Sequence, residues 1–234
     1  MAMNDDLMDD WTGEVLPGGP AATRRLGCLT LTKIAVDPEM HNNCYLLHCG
    51  ETGEQVLIDA AAEAPRLLDA IGDRGLLAVV TTHQHWDHHR ALAEVVAATG
   101  AAVVAGEADA DAITEQTGVE VTRRVADGDK VAVGVCDLEV ITLVGHTPGS
   151  IALLLDDPEH VTAHPHLFTG DSLFPGGVGN TRGDSAAFTS LLADVAAKLF
   201  DRLPDETWFY PGHGKDSTLG AERPHLDQWR ERGW

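Results

Sequence analysis

The chain has 234 residues, with 37 acidic against 16 basic side chains and a formal net charge of −21. So large an acidic excess argues against a nucleic-acid partner, because phosphate contacts require clustered Lys and Arg. No uninterrupted apolar run is long enough to span a bilayer, and the length suits one large α/β unit without a Ser/Pro/Gly linker.

Residues 1–24 contain Asn4-Asp5-Asp6, Asp9-Asp10 and Pro17-Gly18-Gly19-Pro20, a polar, turn-rich composition that predicts an extended or mobile arm ahead of one domain over residues 25–234. There is no apolar segment of the signal-peptide kind at the start, and Cys28, Cys44, Cys49 and Cys136 follow no CxxC spacing. Both features lead to the expectation of a cytoplasmic protein with reduced thiols, those in strand-like segments acting as small buried hydrophobes. Strand-like runs over residues 26–36 and 43–49 come next, then Val56-Leu57-Ile58-Asp59. Asp59 reads either as a cap before Ala60-Ala61-Ala62-Glu63 or as a carboxylate supporting a ligand.

The richest segment follows. Residues 75–81 are apolar and β-branched, predicting a buried strand, and Thr82-His83-Gln84-His85-Trp86-Asp87-His88-His89 leaves its end. On an extended chain residues two apart project to one side, so His83 and His85 can both reach an ion about 2.0–2.1 Å away. Asp87 and His88 fall where the chain turns into a helix predicted from Arg90 to a stop at Gly100, and so point toward a second ion. Three later segments place a metal-binding side chain where a strand ends: Gly145-His146-Thr147-Pro148-Gly149-Ser150 after residues 138–142, Thr169-Gly170-Asp171-Ser172, and Pro211-Gly212-His213-Gly214 after aromatic residues. The run from Gly176 to Asp184 fails the GxGxxG spacing of a phosphate loop and reads as a loop over the site. The remaining histidines are assigned ordinary surface or hydrogen-bonding roles.

HxHxDH, GHTPGS, TGDS and PGHG, in this order, resemble the metallo-β-lactamase superfamily, and the match spans most of the chain. The resemblance implies an α/β fold, a four-layer αββα sandwich. It also implies that His83, His85 and His146 bind one metal, that Asp87, His88 and His213 bind a second, that Asp171 bridges them, and that Asp59 supports a ligand imidazole. The ions would be a divalent pair, zinc first, with iron and manganese also suited to mixed nitrogen and oxygen ligands. Such a pair shares a water and lowers its pKa toward neutrality, so a bridging hydroxide attacks a carbonyl while Asp87 orients it and carries the proton.

Within the superfamily the chain is most similar to the glyoxalase II-like hydrolases, and Asp171 sets it apart from true β-lactamases, which lack a bridging aspartate there. The implied activity is hydrolysis of a small-molecule thioester or related ester, since a thiolate with a pKa near 8.5 leaves with little acid help. Asn180, Arg182 and Lys215, in loops of the site, are candidate substrate contacts. The chain departs from that pattern in two ways. Only the residues from Gly214 to Trp234 follow His213, where full-length relatives carry a glutathione-binding helical region, and Gly177-Val178-Gly179-Asn180 replaces Gly-Cys-Gly-Arg. The alternatives are a persulfide dioxygenase with one iron on His83, His146 and Asp171, and a lactonase-type hydrolase.

Overall fold

A computed structural model describes residues 11–160 and 164–233. Its first sheet has seven strands in chain order: β1 (Ala22–Leu26), β2 (Leu29–Val36), β3 (Asn42–Cys49), β4 (Gln55–Ile58), β5 (Ala78–Thr81), β6 (Ala102–Gly106) and β7 (Arg123–Val125). Pairing is antiparallel up to β4 and parallel from β4 to β7. The second sheet is built from β8 (Lys130–Val133), β9 (Cys136–Thr142), β10 (Ile151–Leu155), β11 (His166–Gly170), β14 (Trp208–Pro211) and β15 (Ser217–Thr218), in the order β15-β14-β11-β10-β9-β8. Between β11 and β14, β12 (Leu173–Phe174) and β13 (Gly177–Val178) pair as a small hairpin.

The alternation of side chains makes four layers. Leu29, Leu31, Tyr45, Leu47, Val56, Ile58 and Val80 of the first sheet meet Leu138, Val140, Leu153 and Phe168 of the second in one core between the sheets. The opposite parity, Ile34, Leu46, Leu57 and Val79, packs under α1 (Ala64–Ile71), α2 (Leu92–Thr99) and α3 (Ala110–Thr117). On the far side Ile141, Ala152, Leu154 and Leu167 pack under α4 (Ser185–Asp194) with its π-helical continuation Val195–Phe200, α5 (Leu219–Glu222) and α6 (Leu226–Arg232). Central strands covered on both faces read as unbroken apolar runs. The fold is thus the expected αββα sandwich. Among the described residues no helix is long and apolar enough to cross a membrane.

Local differences from the sequence reading have local causes. The run over residues 26–36 is two strands, because Gly27 at φ 63° turns the chain into a hairpin. Residues 22–24, expected in the arm, open β1. Residues 1–10 of that expected arm lie outside the described residues. Trp11 and Gly13 are tied down: Trp11 Nε1 donates to Asp216 Oδ2 at 3.1 Å, and the Gly13 carbonyl accepts from Lys33 Nζ at 2.9 Å. Lys33 falls on the inward register of β2 with Leu29 and Leu31, so its ammonium is buried and pairs with Asp216 Oδ1 at 2.6 Å. Burial pushes the Asp216 carboxyl up to about 6 against the pull of Lys33, and it lowers Lys33 in turn.

Candidate metal centre

All the strands that carry candidate ligands end at the same edge of the sandwich. β5 stops at Thr81 and hands over to His83 and His85, the latter still extended at φ −70° and ψ 135°, before Trp86–His88 coil into a 3₁₀ turn. His146 lies in the β9–β10 connection, Asp171 directly after β11 and His213 directly after β14. Three sets of donor atoms converge there: His83, His85 and His146; His83, His88 and Asp171; Asp87, His88 and His213. Asp171 lies between the outer two sets. Its Oδ1 is 3.3 Å from His88 Nε2, and its Oδ2 is 3.6 Å from His146 Nε2 and 3.4 Å from His213 Nε2.

Close approach of the loops requires glycine at Gly212, where an added Cβ would collide with Asp171 Oδ1 and with the His88 ring.

Partners outside the cluster orient the rings. His88 Nδ1 donates to Asp59 Oδ2 at 2.8 Å, His146 Nδ1 to the Asn180 carbonyl at 2.9 Å, and His213 Nδ1 to the Met40 carbonyl at 2.7 Å. His83 Nδ1 faces Thr82 Oγ1 at 3.1 Å, and that hydroxyl is itself donated to Asp59 Oδ2. With each Nδ1 engaged outward, each of these Nε2 atoms faces the centre. His85 is turned the other way, with Nδ1 2.8 Å from His146 Nε2. Asp59 therefore does not cap α1, whose N-cap position is Glu63. It adopts φ 57°, in the left-handed region, and gathers Thr82 N, Thr82 Oγ1 and His88 Nδ1 on one carboxylate.

A cation fits this chamber on two grounds. His83 Nε2 and Asp171 Oδ1 are buried polar atoms without a hydrogen-bond partner, which is costly unless something else binds them. The charges also call for positive compensation. Burial works against the charged form of every group here, yet Asp171 and Asp59 hold His88 well above the usual histidine range, and Asp171 and Asp87 hold His213 up to about 9. Asp87 and Asp171 are likewise held below the usual carboxylate range by His88 and His213 against their burial. In the other set, burial lowers His83 strongly and His146 less, and it brings His85 down to about 4 with help from His146 and Arg182. Neutral rings with inward lone pairs are the form in which histidine binds metal.

The three candidate substrate residues differ in placement. Asn180 reaches the centre through its carbonyl on His146, and its side chain accepts from Arg182 N at 2.7 Å. Arg182, at φ 54°, brings its guanidinium to 3.4 Å from His85 Nε2. Lys215 is exposed two residues beyond His213 and has no ion pair among the described residues.

One supporting residue escaped the sequence reading. Asp109, fully buried before α3, accepts from Gln84 N at 2.9 Å, Thr147 Oγ1 at 2.6 Å and Gly149 N at 2.7 Å. It joins the loop of His83 and His85 to the loop of His146. The second set has its own anchors. Asn42 Nδ2 donates to Asp87 Oδ2 at 3.1 Å, and the Pro211–Gly214 segment is held by Asn43, Tyr45 and Lys33 through the carbonyls of Pro211, Gly212 and Gly214.

The family model of the metallo-beta-lactamase superfamily matches residues 37–213, a span that contains every one of these candidate ligands. A hydroxyacylglutathione hydrolase of Polaromonas sp. strain JS666 is 38% identical over 173 residues, covering 72% of this chain and 60% of that protein. The mitochondrial persulfide dioxygenase ETHE1 of Homo sapiens is 32% identical over 206 residues, covering 84% of this chain and 75% of that protein. Among solved structures, TTHA1623 in a di-iron-bound form superposes with a TM-score of 0.63 at 33% identity, over 82% of this chain and 96% of that one. The chain thus belongs to the metallo-beta-lactamase superfamily, where it is glyoxalase II-like.

Proposed function

We propose that the protein is a hydrolase that holds two divalent metal ions, zinc first, and cleaves a small-molecule thioester or related ester. The observation that carries this reading is the Asp171 carboxylate, within 3.6 Å of ring nitrogens from both His146 and the His88–His213 pair, with no hydrogen bond to Oδ1. His83, His85 and His146 would hold one ion and Asp87, His88 and His213 the other, with Asp171 common to both. A bound pair supplies a water acidified toward neutrality and a Lewis acid for the carbonyl. The chain's own groups do the rest. Asp87, kept ionised against its burial by His213 and His88 and oriented by Asn42, accepts a hydrogen bond from the attacking water and carries its proton to the leaving group. A thiolate needs little of that help. Arg182, beside His85, and the exposed Lys215 offer cations to an anionic acyl or thiol part.

Likeness to a hydroxyacylglutathione hydrolase supports the thioester class, and likeness to a di-iron protein supports two ions. The chain spans 60% of that hydrolase's length, so the thiol carrier is assigned only as a class. Metal analysis of purified protein, joined to a panel of thioesters, lactones and a β-lactam, tests the reading. Close to two metals per chain with fastest turnover on a thioester is expected. One iron per chain with oxygen uptake on a persulfide would overturn it in favour of a dioxygenase on His83, His146 and Asp171, the reading that the likeness to the human enzyme favours.

A further inference from the structure

Three of the four cysteines gather at the end of the sandwich away from the metal centre. Cys28 sits in the β1–β2 turn, Cys49 ends β3 in register with Leu29, and Cys136 opens β9. The other end of β2 pairs with Asn42, beside Asp87, and the other end of β9 leads to His146. The thiol sulfurs of Cys28 and Cys136 are 2.8 Å apart, across the gap between the two sheets. Non-bonded heavy atoms rest at about 3.5–4.0 Å, and a disulfide spans about 2.05 Å. No other residue separates the pair.

Access is one-sided. Cys136 and Cys49 are fully buried, whereas Cys28 is partly exposed in an open groove lined by Arg25, Thr30, His48, Glu51, Glu159 and His160. The Cys28 backbone is fixed on both sides, its N–H donating to the His160 carbonyl at 2.8 Å and its carbonyl accepting from Gly50 N at 2.9 Å. A reagent entering the groove therefore meets Cys28 first, with Cys136 directly behind it. Burial raises both thiols, so reaction is favoured on the alkaline side of neutral.

We propose that Cys28 and Cys136 form a dithiol redox site that exchanges with a low-molecular-weight disulfide. The Cys28 thiolate attacks one sulfur of the reagent RSSR, forming a Cys28–S–S–R bond and releasing one thiolate, RS⁻. Cys136, losing its proton, then attacks Cys28 Sγ and releases the second RS⁻. The protein gives up two electrons and two protons, and the reagent becomes two RSH. The product disulfide closes a loop of more than a hundred residues between the sheets and constrains the unfolded chain strongly.

The experiment uses metal-loaded protein incubated with glutathione disulfide at pH 8, followed by thiol blocking, intact mass measurement and peptide mapping. The expected result is loss of two hydrogens, a fall from four titratable thiols to two, and a peptide crosslinked through Cys28 and Cys136 that dithiothreitol releases. The melting temperature should rise by roughly 5–10 °C, while metal content and hydrolytic rate stay unchanged, so the outcome is independent of the hydrolase reading. Cys136→Ser should stop at a mixed disulfide on Cys28, Cys28→Ser should not react, and Cys49→Ser should behave as the parent. Four thiols surviving in the parent, a persistent mixed disulfide on its Cys28, or a crosslink through Cys44 or Cys49 overturns the proposal.

Discussion

The two halves of the candidate centre are held by opposite devices. Around His83, His85 and His146 the main support is Asp109, which grips main-chain N–H groups and a threonine hydroxyl and so fixes the loops, while outside the cluster the His146 and His83 rings meet only the Asn180 carbonyl and the Thr82 hydroxyl. Around Asp87, His88 and His213 the supports reach the ligands more directly. Asp59 takes the His88 ring itself, and Asn42 takes the Asp87 carboxylate, while the His213 loop is strapped by Lys33, Asn43 and Tyr45 from the other sheet. Electrostatics divide along the same line. Burial lowers the rings of the first half, while carboxylates raise those of the second. One half is a set of neutral donors on rigid loops, and the other is a charged pocket that takes up positive charge.

Asp171→Ala removes the side chain proposed as common to both halves, and should lower turnover by about a thousandfold or more while metal content falls below two per chain. Activity retained in full would remove the bridge from the comparison. Asp109→Ala and Asp59→Ala come next, each expected to cost about 10–100-fold in metal affinity. Titration of the metal-free protein with zinc should show the first half weakened by Asp109→Ala and the second by Asp59→Ala. Loss of the same ion in both variants would show that the halves are not separately supported. Asp59 also binds Thr82, so some weakening of the first half in Asp59→Ala is expected.

Gly212→Ala forces a methyl group onto Asp171 and His88 and should destabilise by about 1–3 kcal/mol, measured by denaturant titration, with a larger loss of the second ion than of the first. The last group belongs to neither half, and its effect is confined to acid pH. His166, buried on β11 and in contact with Tyr210, is lowered to about 3, chiefly by burial and further by Arg24. A depressed pKa means that the unfolded chain binds the proton first, so its contribution is complete above about pH 6.5 and is lost as pH falls toward 3, at roughly 1.4 kcal/mol per pH unit. His166→Asn should flatten that acid limb in denaturation midpoints measured across the range. An unchanged slope would refute it.

The side chains that converge at the candidate centre were legible in the sequence because strand ends, glycines and short spacings declare them locally. HxHxDH carries its own geometry, with the extended His85 and the turn at Trp86–His88. Their supports were not legible. Asp109 stands at the N-cap position of α3, yet it makes no cap bond and reaches residues 25 to 40 positions away. Lys33 shares its parity on β2 with the inward-facing Leu29 and Leu31, and its partner lies 183 residues on. Partners that distant leave no periodic trace. His166, assigned an ordinary role from sequence, is buried for the same reason of strand parity.

The tie between Trp11 and Asp216 spans 205 residues, and Asp216 stands three positions beyond His213. On a ribosome, where chain emerges from the N-terminus onward, the first half of the centre could be assembled while the second still lacked its last ligand and its strap. Metal acquired during synthesis would therefore enter one half before the other existed. A nascent chain from which β10 and β11 have emerged while His213 has not would be the place to look for a lone ion.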